Sequence, residues 1–190
     1  MPHRAGLDRK AVVQAAAELI DTVGVEQLTL AQLAEHLGIR TPSLYNHIAG
    51  LAGLRRDLAL YCTQELLSRF SRVAIGKSQD EAIIAIADAY RAFAKDHPGC
   101  YSFTIGPADP TDIELHAVGQ EVVDVIQRVL AGYGLHNEDA LHAVRGLRSI
   151  VHGFVSLEMA GGFGLPLDLD ESFHRLVKVF IDGLRSEQSE

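Results

Sequence analysis

The stretch TLAQLAEHLGIRTPSLYNHI, Thr29 to Ile48, carries two short helical patterns separated by a corner. In the first, Leu30, Leu33, Ala34 and Leu37 fall at i, i+3, i+4 and i+7, which places one apolar stripe along a 3.6-residue helix. Thr29 and Gln32 form a capping box, in which two side chains satisfy backbone N–H groups that the first turn leaves without partners. Gly38 follows the stripe, where a helix commonly turns left-handed and only glycine does so cheaply. Thr41 and Pro42 then read as an N-cap and a first-turn proline, so a second helix starts almost at once. Ala34 is small enough to let the two helices cross, and the whole stretch predicts a helix-turn-helix.

Leu44 and Ile48, four apart, turn one side of the second helix inward. Arg40, Thr41, Ser43, Tyr45, Asn46 and His47 are left outside, with Pro42 in the first turn, and none of them is acidic. A merely solvated helix usually mixes in Glu or Asp. This face instead gathers donors and an aromatic that suit double-stranded DNA: Ser43, Tyr45 and Asn46 toward base edges and Arg40, Thr41 and His47 nearer phosphates, with Pro42 among the DNA-binding residues as the start of the helix. The bland alternative is a polar corner between two core helices.

These residues resemble the DNA-binding domain of the tetracycline-repressor (TetR) family, whose recognition helix carries Tyr, then His or Tyr two residues on, then a bulky apolar residue; here they are Tyr45, His47 and Ile48. One position departs from the family pattern. Members commonly carry a phosphate-contacting Lys at the start of the next helix, and this chain has Leu51 there, with Arg55 or Arg56 as substitutes.

With 190 residues, 47% of them hydrophobic, the chain can bury a real core. No run approaches the roughly 18 apolar residues of a membrane span, and the opening MPHRAGLDRK has no apolar signal core, so a cytoplasmic protein without membrane association is expected. Cys62 and Cys100 lack CxxC spacing and read as separate buried hydrophobes instead of a disulfide or zinc framework. The nine histidines show no metal-ligand spacing, and no catalytic or nucleotide-binding fingerprint occurs, so neither an enzyme nor a metal or cofactor is expected. The net charge is −8, yet Met1 to Leu60 is balanced, with six basic and six acidic residues. All of the net negative charge lies in the remainder, an arrangement that turns the N-terminal end toward DNA and the acidic body away.

Outward from the motif, Met1 to Leu7 reads as a flexible arm in which Arg4 could reach a minor groove. Asp8 caps a first helix with Val12, Val13, Ala16, Leu19, Ile20 and Val23 inward, closed by Gly24. A long helix from Leu51 to about Phe70 carries Leu54, Leu58, Tyr61, Cys62 and Leu66 on one side, and AIGKSQD, Ala74 to Asp80, is the expected break. Ile83, Ile86, Ala87, Tyr90 and Ala94 repeat at helical spacing up to His97, Pro98 and Gly99. Tyr101 to Pro110 reads as a loop or short broken helix, and a further helix runs from about Thr111 to the glycines at 132 and 134. Asn137 opens a helix apolar on several faces, and Asp170 caps a last one with Phe173, Leu176, Val177, Phe180, Ile181 and Leu184 in a broad stripe that needs a partner. No strand signal appears.

Arg148 to Leu184 is similar to a C-terminal domain of part of the TetR family named for a Trp-His-Gly motif, with His152 and Gly153 in place and Val151 at the Trp position. The resemblances imply an all-α protein: residues 1–51 a three-helix DNA-binding domain, residues 52–190 a helical effector-binding and dimerisation domain. Tyr90, Phe93, His97, Phe103, His116, Val122, Ile126 and His152 mix aromatic and polar groups and fit either a core or a small-molecule cavity. The family keeps its effector cavity among such helices, and His152 fits helix packing equally well. The resemblance also implies a homodimer through the last two helices, with Phe154, Phe173, Leu176, Val177, Phe180, Ile181 and Leu184 in the interface. The function so implied is a ligand-responsive repressor on a palindromic operator. The competing class is a helical effector-binding or scaffolding protein that has lost DNA binding, in keeping with the acidic balance and Leu51.

Overall fold

The computed structural model describes residues 7–106 and 109–186, and among them the regular elements are all helical: α1 (Arg9–Val23), α2 (Leu30–His36), α3 (Thr41–Leu44), α4 (Gly50–Ala74), α5 (Gln79–Asp96), α6 (Pro98–Ile105), α7 (Ile113–Leu130), α8 (Asn137–Met159) and α9 (Leu169–Ser186). The expected arm, Arg4 included, lies outside the described residues except for Leu7. The chain divides into two compact units. One takes in the chain up to Glu65 together with Asp96–Val118; the other holds Leu66–Lys95 and the chain from Gly119 onward. The unit that contains the helix-turn-helix extends beyond residues 1–51, because α4 runs unbroken through position 51 and a later segment folds back onto α1.

In the first unit, Asp8 accepts the Ala11 N–H at 2.7 Å to start α1, and Gly24, at φ +86°, ends it. Val12, Val13, Ala16 and Ile20 are buried, whereas Leu19 and Val23 are only half-buried. Helix α6 packs on α1. Its own N-cap, His97, makes no capping bond; Asp21 of α1 supplies it, with Oδ1 accepting from Gly99 N at 2.9 Å and Cys100 N at 3.1 Å while Oδ2 pairs with His97 Nδ1 at 2.9 Å. A Cβ on Gly99 would lie 2.6 Å from the Ile20 carbonyl, so glycine is what lets the helices approach. The stretch from Tyr101 is thus helical as far as Ile105, with Tyr101 buried. Tertiary capping and the proline at its first turn make a helix where local sequence shows only breakers.

Cys62 of α4 and Cys100 of α6 are joined in a disulfide with Cα atoms 5.1 Å apart, which corrects the reading of two separate thiols. Both are buried, as expected of small hydrophobes. Spacing along the chain could not reveal a pair created by two helices meeting across 38 residues. A cross-link of that span contributes about 4 kcal/mol in the chain-entropy account. Three carboxylates also staple the unit. Buried Asp57 receives the fork of Arg9, and Asp112 and Glu114 receive that of Arg56. The hydrogen bond from Arg56 holds the Asp112 carboxyl below the usual carboxylate range.

The second unit is built around α5, α8 and α9 with the ends of α4 and α7. Arg91 and Glu158 form a two-bond fork at 2.7 Å, and both side chains are almost fully buried. Such a pair is costly to desolvate unless its remaining bonding capacity is filled. Here Lys95 reaches Glu158 at 3.0 Å and Asp170 reaches Arg91 at 2.8 Å, while the guanidinium lies over the rings of Phe173 and Phe154. Asp170 is therefore an ion-pair partner, and the cap of α9 is Asp168, which accepts from Glu171 N at 2.9 Å.

Helix α9 carries two stripes, where the sequence suggests one broad one. Phe173, Val177, Ile181 and Leu184 are buried inside the unit, as is Phe154 of α8, so these five are not open to a second chain. A second row, Leu176, Val179, Phe180 and Gly183, stands at i, i+3, i+4 and i+7 on the more exposed side, with Val179 69% exposed. Phe180 leans partly on α8, where a Cβ on Gly146 would meet its ring at 3.2 Å.

Candidate nucleic-acid interface

Helix α2 starts with the expected capping box: Gln32 N donates to Thr29 Oγ1 at 3.2 Å and Thr29 N to Gln32 Oε1 at 3.1 Å. It ends in a Schellman motif, with Gly38 at φ +66°, its N–H on Glu35 O, and Ile39 N–H on Ala34 O. The corner is thereby fixed by backbone bonds, and α3 packs on α2. The cap of α3 is Arg40, not Thr41: its backbone is extended, it makes no side-chain capping bond, and its carbonyl accepts Ser43 N at 2.8 Å. Thr41 and Pro42 both lie in the first turn, each one position further into the helix than its type suggests, a turn that the fixed φ of proline suits.

Regular helix covers only Thr41–Leu44, but the turn continues through His47 N and Ile48 N, both bonded to Leu44 O. Leu44 is 0% and Ile48 6% exposed, anchors that bury the inner side. Tyr45, by contrast, is 61% exposed, with Arg40, Pro42 and Asn46 also exposed and Thr41, Ser43 and His47 half-buried. An aromatic ring held in water beside two fully packed anchors costs apolar burial that a structural residue would recover. The segment is thus rigidly seated with its uncharged donors, one cation and one ring outward.

The other basic residues sort by their partners. Arg9 and Arg56 are committed to internal carboxylates, and hydrogen bonding with Asp112 pushes the Arg56 guanidinium further up. Arg55 makes one long bond, 3.4 Å, to Val25 O, and is not tied to a carboxylate as Arg56 is. Lys10, at the start of α1, is exposed, and no local pattern in the sequence marks it.

A family model described as the tetracyclin repressor-like C-terminal domain matches residues 83–180, just over half of the chain. The chain is 37% identical, over 91% of its length and 79% of the relative's, to the uncharacterized HTH-type transcriptional regulator Rv0681 of Mycobacterium tuberculosis. It is 35% identical, over 97% of its length and 96% of the relative's, to the HTH-type regulator YobS of Bacillus subtilis. This chain belongs to the TetR family. Among solved structures, a TetR variant from Acinetobacter baumannii AYE in complex with minocycline superposes with a TM-score of 0.72 at 24% identity, covering 97% of this chain and 100% of that one, a likeness of fold. Membership makes the protein a DNA-binding transcriptional regulator with an all-helical fold. The family description that matches is broader than the Trp-His-Gly subdivision suggested by His152 and Gly153.

The residues expected to line an effector cavity in this TetR-family chain are divided between the units. His97, Phe103 and His116 belong to the first, where His97 is bound to Asp21, Phe103 is half-buried and His116 exposed. Tyr90, Phe93, Val122, Ile126 and His152 belong to the second. There Tyr90, Phe93 and Ile126 are buried, with Phe70 edge-on to Tyr90 and Arg69 over the Phe93 ring, while Val122 and His152 are half-buried. Among the described residues no group of histidine, cysteine and carboxylate side chains is placed to hold a metal, and no helix is long and apolar enough to cross a membrane.

Proposed function

We propose that the protein is a cytoplasmic repressor that binds a palindromic operator as a homodimer and is released by a small molecule, acting through binding and not catalysis. The exposure of Tyr45 between the buried anchors Leu44 and Ile48 carries this reading. Ser43, Tyr45 and Asn46 approach base edges, and Arg40, Thr41 and His47 lie toward phosphates, joined by Lys10 and Arg55, while Pro42 starts the helix that presents them. Dimerisation uses the outer row of α9, Leu176, Val179, Phe180 and Gly183, since apolar side chains left in water on a helix otherwise buried against its own chain favour a partner surface. The effector binds near the aromatic residues Tyr90 and Phe93 with Val122, Ile126 and His152; the Acinetobacter protein of this fold in complex with minocycline is a precedent for a small-molecule ligand. The test is a gel shift on the DNA flanking the gene that encodes the chain, at low and moderate salt with a shuffled duplex as competitor. Specific, salt-weakened retardation is expected. No retardation by the flanking DNA, or equal retardation of the shuffled duplex, overturns the reading.

A further inference from the structure

A DNA-binding regulator works in the compartment that holds DNA, where small thiols keep most cysteines reduced and the disulfides that do form are usually transient, catalytic or redox-sensing. The Cys62–Cys100 bond stands in such a chain. Helix α4, which carries Cys62, begins at Gly50, two residues beyond the anchor Ile48 of the recognition segment. Cys100 lies in the first turn of α6, which Asp21 caps and Gly99 seats on Ile20 of α1. The bond therefore ties the helix that continues from the recognition segment to an element clamped on α1, all within one compact unit.

We propose that Cys62–Cys100 is a reversible redox site through which the thiol–disulfide balance of the cell sets operator affinity. Reduction proceeds by exchange with a small thiol of the glutathione class. A thiolate attacks one sulfur to give a mixed disulfide and a free cysteine thiolate; a second thiol displaces the small molecule as its disulfide, and both protein sulfurs end protonated. Two small thiols are thus oxidised to one disulfide as one protein disulfide becomes two thiols, and the reverse reaction restores it. Cys100, 3% exposed against 0% for Cys62 and placed in an eight-residue helix, is the sulfur attacked after local opening. The Asp21 cap and the Gly99 contact do not depend on the bond, so α6 keeps its place and the change is reversible. Two unbonded sulfurs need more room than a bonded pair. In this buried site, reduction shifts α4 against α6 and spreads the recognition segment over several arrangements, of which only some fit DNA.

The inference rests on the DNA-binding reading above. Its test is fluorescence anisotropy of a labelled duplex from upstream of the gene, in buffers of set reduced-to-oxidised glutathione ratio, with free thiols counted by alkylation and mass. Wild type is expected to pass from no free thiols to two across the ratios found in cells, with operator affinity falling about tenfold. Cys62→Ser and Cys100→Ser should hold the weaker affinity in every buffer. Equal affinity of the two wild-type forms overturns the inference while leaving the regulator reading intact, and needs no variant to fold. Thiols that stay locked at every cellular ratio also overturn it, as does a redox response that survives in the serine variants. Absence of binding in both forms overturns it together with the regulator reading.

Discussion

Gly99 stands where α6 leans on the Ile20 carbonyl, and a methyl group there would have to displace backbone, which cannot yield as a flexible side chain does. Gly99→Ala should therefore lower stability by about 1–3 kcal/mol, read as a lower urea midpoint with an unchanged slope. Glu158 gives a pH signature. Its carboxyl is held below the usual range, first by the hydrogen bond from Arg91, so its contribution is complete above the pKa of the unfolded carboxylate and is lost as pH falls through the depressed folded value. Glu158→Gln should be less stable near neutral pH and lose less stability on acidification, as thermal melts from pH 7 downward will show. Equal acid limbs in the two proteins would remove Glu158 from the account. At this scale the sequence is legible where one helix decides: Leu44 and Ile48 inward and Tyr45 outward follow from spacing alone. It is illegible where the partner is distant, as with Arg56 and Asp112, 56 residues apart, or where two like residues compete for a cap, as Asp168 and Asp170 do.

Among elements, α2 was readable to its ends because capping box and Schellman glycine are both local signals. Helix α6 was not, since Asp21, 78 residues before Gly99, supplies its cap. Helix α9 shows a different failure. Periodicity counts apolar positions but does not say which neighbour each faces, so an inner row buried in the same chain and an outer row read as one stripe. The α4–α6 cross-link gives the element-level prediction. Losing about 4 kcal/mol in a chain of this size should lower Tm by on the order of 10 °C in excess reductant, and Cys62→Ala should melt at the reduced value with or without it. A melting temperature indifferent to reductant would mean that the bond adds nothing to the fold.

For the whole molecule, the proposed twofold dimer would place two recognition segments on one operator, so assembly and DNA binding are expected to stand or fall together. Val179, 69% exposed on the outer row of α9, can take a charge without disturbing the core: Val179→Glu should change stability by no more than about 0.5 kcal/mol yet shift sedimentation toward the monomer. A variant still dimeric would move the interface off α9. The central claim is that the outward side of Thr41 to His47 reads DNA, and it is tested most directly by operator affinity of wild type and Tyr45→Ala, measured by anisotropy with circular dichroism as the check on folding. Because the ring is exposed, the variant should fold unchanged, while two lost contacts, one per half-site, cost about 2–6 kcal/mol and weaken binding roughly thirtyfold or more. Tyr45→Ala that folds and binds the operator as wild type does would contradict the account.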